Sequence, residues 1–450
     1  MSPSDALTNV LSVTPADTAV ARLGVCRIDS PLTAKRDDQE AVQFVEDHDY
    51  VLLHDTADAL AHLNRPLDQL ATFELAGPRA KIFFDAAKSR VGIVTCGGIC
   101  PGLNDVIRGL VLSLSFIYGV KHIYGFKNGY AGFIARYGHE VLDLDTEMVS
   151  EIYERGGTIL GSSRGEQDPV EIVDCLERMS INILFVIGGD GTLRGGIAIA
   201  DEIENRGLKI AVVGVPKTID NDIMFLDQSF GFQTAYSAAT AAIRAAHQEA
   251  KGAHNGVGLV KLMGRHSGFI ACFASLAMSD ANFVLIPEVP VVLEGDHGLL
   301  NCLHERLHRR QHAVVVVAEG AGQDLLHGED NKTDASGNVK LEDIGPFLRD
   351  RITEHFKKVR FPCSVKYIDP SYIIRSVPAS PPDSVFCLRL AHAAVHAAMS
   401  GRTRMVVGIW HGRFVHLPMP LAIHRRQTVD TQGDVWQSVL ESTGQPRQWK

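Results

Sequence analysis

Short apolar runs that stop at glycine recur through most of this chain, and each is followed by a longer amphipathic stretch. Residues 91–95, 183–187, 210–215, 256–261, 283–286, 313–318 and 405–409 have the length and β-branched content of buried strands. Between them, residues 104–117, 169–179, 195–206, 234–248, 267–278, 298–310, 345–358 and 382–400 carry the spacing of helices. Alternation of this kind is the mark of βαβ units, so the chain is predicted to be an α/β protein with mostly parallel sheets. Residues 1 to about 88 lack the rhythm and are expected to form an extension, and residues 323–343, rich in Asp, Gly, Asn and Lys, an exposed loop.

Composition narrows the function classes. At about 150 residues per domain, 450 residues leave room for two or three domains. The 44 Lys and Arg against 53 Asp and Glu give a net charge of −9, without the basic stripe that nucleic acid requires, so no nucleic-acid partner is expected. No apolar run approaches the roughly 18 residues that span a bilayer, and the first twenty residues lack the basic-then-apolar order of a signal peptide. The reading is a cytoplasmic protein with no membrane partner. Eight scattered cysteines, some inside apolar runs such as Cys272 and Cys387, point to reduced thiols rather than a disulfide framework. Cys96 and Cys100 have no second pair at zinc spacing, so no metal is assigned to them.

Chemistry concentrates where the strands end. The segment VGIVTCGGICPGLN (91–104) runs from strand into a glycine-rich turn and then a helix, the architecture that lets backbone N–H groups cradle phosphate. Alone, such a turn is equally compatible with a plain tight bend. LFVIGGDGTLRGG (184–196) repeats the pattern with Asp190 among the glycines. A lone carboxylate would repel phosphate unless a divalent cation bridged them, whereas the simpler reading makes Asp190 the cap of a helix starting near Thr192. Arg164 in LGSSRG (160–165) suits a nucleotide phosphate or a surface turn.

The loop VGVPKTIDND (213–222) packs Lys217, Thr218, Asp220, Asn221 and Asp222 together. One carboxylate there could take a proton from an attacking hydroxyl while a lysine neutralises charge, although Asp-Asn-Asp is also common in turns. In LMGRHSGF (262–269), Arg265 suits a sugar phosphate through paired hydrogen bonds, while His266 reads as structural. Glu319 ends an apolar strand, and YIDPSYIIR (367–375) supplies Tyr372 and Arg375.

Taken together and in this order, GGICPGLN, LGSSRG, GGDGT, PKTIDND, MGRHSG, the Glu of VAEG, and YIDPSYIIR resemble the 6-phosphofructokinase family over about residues 75–445. The resemblance is to its long-chain ATP-dependent group, found in plants and trypanosomatids. It implies two Rossmann-like lobes facing a cleft, with N- and C-terminal extensions. The expected division is 1–88 as extension, 89–232 as nucleotide-binding lobe rejoined by about 378–412, 233–377 as fructose 6-phosphate-binding lobe, and 413–450 as C-terminal extension. It also implies transfer of the ATP γ-phosphoryl group to the C1 hydroxyl of fructose 6-phosphate in glycolysis, with Mg²⁺.

Carried over by position, Gly97, Arg164, Gly165, Gly189, Asp190, Gly191 and Thr192 fall where the family binds nucleotide, and Asp190 where it engages Mg²⁺. Asp220 matches the proton acceptor. Thr218, Ile219, Met263, Gly264, Arg265, Glu319, Tyr372, Ile373, Ile374 and Arg375 fall in the sugar-phosphate site. Donor choice is expected at Gly191, where the pyrophosphate-dependent branch has Asp, and at Lys217, which that branch shares. Gly with Lys is the combination of the long-chain ATP group, so ATP is the predicted donor and pyrophosphate the alternative. NAD kinases and lipid kinases share GGDGT but not the later motifs, and a non-catalytic subunit is disfavoured because Asp190 and Asp220 are both present. A homotetramer or homodimer is expected from the family. Where short bacterial relatives place an intersubunit Arg, this chain has Gly256.

Overall fold

The computed structural model describes residues 13–34, 42–326 and 341–450. The chain divides into two compact units. The first holds the described residues up to Thr218 together with Ile223–Gly231 and Val377–Arg425, and the second holds Ile219–Asp222, the described part of Phe232–Ser376, and Arg426–Lys450.

The first unit is built on a nine-stranded sheet. Its order is Tyr50–Leu52, Thr72–Leu75, Arg413–Pro418, Met405–Trp410, Ala211–Pro216, Ile183–Gly188, Arg90–Thr95, His122–Phe126 and Val141–Asp143. The five strands from Met405–Trp410 to His122–Phe126 are parallel. Antiparallel pairs flank them on both sides. Ile183–Gly188 and Ala211–Pro216 are buried along their whole length, which explains why they are apolar without alternation. Leu103–Leu112 packs on Pro381–Met399, and Pro169–Arg178 on Asp190–Asn205.

Strand order locates the functional end of this sheet. From Arg90–Thr95 the chain moves to its neighbour His122–Phe126 on one side, then returns to Ile183–Gly188 on the other. Such a reversal opens a crevice at the carboxyl ends of the two strands, and both of the glycine-rich turns read from the sequence lie there.

The second unit has four strands, all parallel, in the order Phe283–Leu285, His312–Ala318, Gly256–Leu262 and Ser364–Ile368. Helix Phe232–Gly252 packs with Phe269–Met278, which in turn meets Asp434–Thr443, while Leu299–Arg310 packs with Ile344–Lys358. The core joins Val257, Leu259, Val315, Val317 and Ile243 with Trp436 and Val439 from the last helix. Gly256–Leu262 and His312–Ala318 are parallel neighbours, so the residues that follow them emerge side by side at the carboxyl end of the sheet.

The α/β expectation holds: the sheets are mostly parallel and helix-covered. Several boundaries differ. The helix expected from 195 begins at Asp190, because Gly195 and Gly196 are interior packing positions rather than a stop. A Cβ on Gly195 would lie 2.5 Å from the Tyr130 ring. The helix expected over 104–117 is α-helical for Leu103–Leu112 and widens into a π turn at Ser113–Tyr118.

Residues 50–52 and 72–75, read as part of an extension, are strands of the large sheet, and so is Arg413–Pro418. Buried charge anchors this region: Glu74 accepts from Arg402 and, at 3.0 Å, from Arg79, and Asp47 meets Arg402 at 2.8 Å. Of the loop expected over 323–343, Gln323–Leu325 forms a 3-10 turn, and residues 327–340 lie outside the described residues. No helix among the described residues is long and apolar enough to cross a membrane.

Candidate active site

In the first unit four loops are fastened to one another. Gly97 has φ +85°, and a Cβ there would sit 3.3 Å from Lys217 Nζ, so both backbone and space call for glycine. Its N–H donates to Ser163 O at 3.1 Å, and Ser162 Oγ donates to Gly97 O at 2.5 Å. These bonds clasp the segment carrying Arg164 and Gly165 onto the first glycine turn. Arg164 is exposed and stands 3.7 Å from where a Gly98 Cβ would point. Lys217 is buried, donates its N–H to Gly188 O at 3.0 Å, and donates Nζ to Gly98 O.

The second glycine turn leads directly into helix Asp190–Asn205. Gly189 occupies the cap position, so Asp190 is not the cap that the simpler sequence reading made it. It is the first helical residue, with Arg194 reaching its carboxylate at 3.2 Å. Thr192 is buried and its carbonyl accepts from Tyr130 Oη at 2.7 Å. The opening turn of a helix leaves N–H groups without helical partners, and Gly189, Gly191 and Thr192 set such groups at the crevice where an anion is favoured. Gly191 is exposed, and a Cβ built on it meets nothing within 4 Å.

The second unit gathers the acids. Asp220 Oδ2 accepts from the Arg265 N–H at 3.4 Å, and Asp220 O accepts from Ser267 Oγ at 2.9 Å. Burial, reinforced by the charges of Asp222 and Glu319, pushes the Asp220 carboxyl up from 3.8 to about 8, against the pull of the Arg265 N–H and of Arg426. Glu319 is also raised, chiefly by burial, while Arg265, Lys261 and Arg375 work against it. The two loops that carry them are stitched together, Glu319 N–H to Leu262 O at 2.9 Å and Gly320 N–H to Gly264 O at 3.0 Å. Gly264 has φ +129°, and a Cβ there would lie 2.5 Å from Ser267 O, so this turn also requires glycine.

The remaining expected residues take different places. Met263 is buried, and Ile219 packs against the second unit's core. Thr218, assigned to the first unit, is half-buried and its carbonyl accepts from Ser229 Oγ at 2.5 Å. Tyr372 and Ile373 are exposed on the short helix Ser371–Arg375, with the Arg375 guanidinium 4.6 Å above the Tyr372 ring. Ile374 points into the core at 1% exposure and anchors that helix. Gly256 is the first residue of Gly256–Leu262, at the opposite end of the strand from Met263.

Sequence reasoning missed three charged groups. Arg426 reaches the buried Asp222 carboxylate at 2.6 Å from 204 positions away, with no motif to announce it. Glu288 accepts from Gly268 N–H at 3.0 Å and Val429 N–H at 2.7 Å, tying the C-terminal segment to the MGRHSG turn. Lys261 was hidden in a strand, although a lone charge in the otherwise apolar run GVGLVKL is itself a signal that buried partners exist.

The first unit thus carries glycine turns at the carboxyl ends of its strands, and the second, separately, a raised carboxyl at Asp220. Comparison with known proteins supplies the family. The family model for Phosphofructokinase matches residues 90–398. A protein of Amycolatopsis methanolica named ATP-dependent 6-phosphofructokinase is 54% identical over 443 residues, covering 96% of each chain. One of Trypanosoma brucei brucei with the same name is 48% identical over 373 residues, covering 82% of this chain and 76% of its own. Among solved structures, a pyrophosphate-dependent phosphofructokinase of Marinobacter aquaeolei superposes with a TM-score of 0.65 at 19% identity, covering 79% of this chain and 91% of its own, which speaks for the fold alone. The chain belongs to the phosphofructokinase family.

Proposed function

We propose that this protein is an ATP-dependent 6-phosphofructokinase, transferring the γ-phosphoryl group of ATP to the C1 hydroxyl of fructose 6-phosphate to give fructose 1,6-bisphosphate and ADP. The observation that carries the reading is Asp220: a carboxylate lifted by burial and two neighbouring acids is a stronger base than an ordinary aspartate, as proton abstraction from a hydroxyl demands. Relatives named for this activity and 44–54% identical support it.

In this reading the first unit's glycine turns and the N-terminus of Asp190–Asn205 hold the nucleotide phosphates, with Arg164 adding charge. Arg265, Arg375 and Tyr372 hold the sugar phosphate, and Glu319 accepts from the sugar hydroxyls. Asp220 takes the C1 proton as the oxygen attacks phosphorus, and Thr218 and Ile219 set the approach of its loop. Most of the rate comes from positioning and charge, since phosphoryl transfer needs little covalent help from the protein.

The chain offers Mg²⁺ one half-buried carboxylate, Asp190, and no cluster of three or more ligating side chains among the described residues. That fits a cation held by one carboxylate and the substrate's own phosphates, where Mg²⁺ would neutralise charge on the transferring group.

ATP is favoured as donor because Gly191 is open where a carboxylate would repel the α-phosphate. Lys217 is the observation on the other side: its Nζ donates to Gly98 O in the first glycine turn. We read the protein as a cytoplasmic homo-oligomer, tetramer or dimer. The test is a coupled assay of fructose 1,6-bisphosphate formation with ATP and with pyrophosphate, each with Mg²⁺. Turnover with ATP is expected, and turnover with pyrophosphate alone would transfer the protein to the other branch.

A further inference from the structure

Lys261 stands at the carboxyl end of a second-unit strand, and the reaction as described makes no direct use of it. It is the single charge in Gly256–Leu262 and is only 9% exposed. A buried ammonium needs partners, and among the described residues it pairs with two carboxylates, Asp343 Oδ1 at 2.8 Å and Asp369 Oδ2 at 2.9 Å.

Each of those carboxylates governs the start of a helix with its other bonds. Asp369 Oδ1 accepts from Ser371 N–H at 3.0 Å and from Ser371 Oγ at 2.5 Å, holding the first residue of Ser371–Arg375. Asp343 caps Ile344–Lys358, accepting from Gly345 N–H at 3.2 Å. Five residues are too few for a helix to hold itself, since nucleation is costly and one turn returns little. Ser371–Arg375 buries only Ile374, which anchors it on the core, and Asp369 fixes its first residue.

We infer that Lys261 is a positioning residue for the sugar-phosphate site: by gripping Asp369 it sets the short helix that presents Tyr372 and Arg375, while its bond to Asp343 serves the start of Ile344–Lys358. The inference rests on the reading of Tyr372 and Arg375 as sugar-phosphate groups. Without the ammonium, Asp343 and Asp369 would face each other as like charges close to Glu319, and the helix start would be pushed away. Gln323 braces the same corner, donating to Glu319 O at 2.8 Å and Glu342 O at 3.0 Å and accepting from Glu342 N–H at 3.1 Å.

The test uses the full-length enzyme and its Lys261→Met, Lys261→Arg, Asp369→Ala and Asp343→Ala variants. In Lys261→Met and Asp369→Ala, KM for fructose 6-phosphate is expected to rise about tenfold or more while KM for ATP stays within about twofold, as befits displacement of one substrate's anchors. The calorimetric affinity for fructose 6-phosphate should weaken by the same factor, and Lys261→Arg should restore part of it. Asp343→Ala should lower Tm while leaving KM for fructose 6-phosphate in place.

Unchanged sugar-phosphate affinity with a lowered Tm in Lys261→Met, or equal changes in both KM values, would reduce Lys261 to a structural ion pair and overturn the inference. If Lys261→Met does not fold, Asp369→Ala decides in the same way, because it releases the helix and leaves Lys261 paired with Asp343. A wild-type protein that neither binds nor phosphorylates fructose 6-phosphate overturns the functional reading instead, and this inference with it.

Discussion

Arg426 holds the Asp222 carboxylate at 2.6 Å, and the N–H of the next residue, Gln427, donates to Asp222 O at 2.8 Å. A segment near the end of the chain thereby fixes the loop that carries Asp220 and adds the positive charge that offsets Asp222. Arg426→Ala removes that charge from a buried acid. Stability should fall by about 2 kcal/mol, between the cost of losing an exposed pair and that of a fully buried one. The same change pushes the Asp220 carboxyl further up, so the pH profile of kcat/KM should move to higher pH. Thermal unfolding and a pH series on the variant check both.

Asp220 itself links activity to stability. Its folded pKa of about 8 lies above the ordinary 3.8, so between those values the folded protein binds more protons than the unfolded one. By linkage, its contribution to stability is greatest at low pH and declines as pH rises through that window, by at most ~1.4 kcal/mol per unit. Asp220→Asn lacks this decline. Its Tm relative to wild type should therefore climb steadily from pH 4 to pH 8, while the forward kcat/KM of the wild type, which needs the deprotonated base, should rise through the upper part of the same window.

Gly191 gives a clean test of donor choice. A Cβ there meets nothing, and an acid in the first turn of a helix is favourable, so Gly191→Asp should fold with Tm unchanged or slightly raised. Turnover with ATP should nevertheless drop at least about tenfold, as one repelled phosphate contact implies. Retained ATP turnover in the folded variant would detach donor choice from this position.

The strands flanking both glycine turns were legible because a fully buried parallel strand has to be a short apolar run. Gly195 misled because a glycine inside a helix looks like a boundary, whereas here it admits the Tyr130 ring. The strands Tyr50–Leu52 and Thr72–Leu75 were not legible: they are short, antiparallel and near the sheet edge, and part of what holds them is the buried Glu74, Arg79 and Arg402 network, with Asp47 at its rim. Within the site, groups inside motifs could be read one by one. Arg426 and Lys261 act through partners 204 and 82 positions away, and only the fold supplies those pairings.

The most direct test of the account is Asp220→Ala, measured twice on one preparation: turnover with ATP, Mg²⁺ and fructose 6-phosphate, and calorimetric binding of fructose 6-phosphate. Loss of the base should lower kcat by about a hundredfold or more while binding persists within about threefold of wild type. Near-normal turnover would contradict Asp220 as the proton acceptor, and loss of binding together with turnover would make it an anchor for the sugar rather than a base.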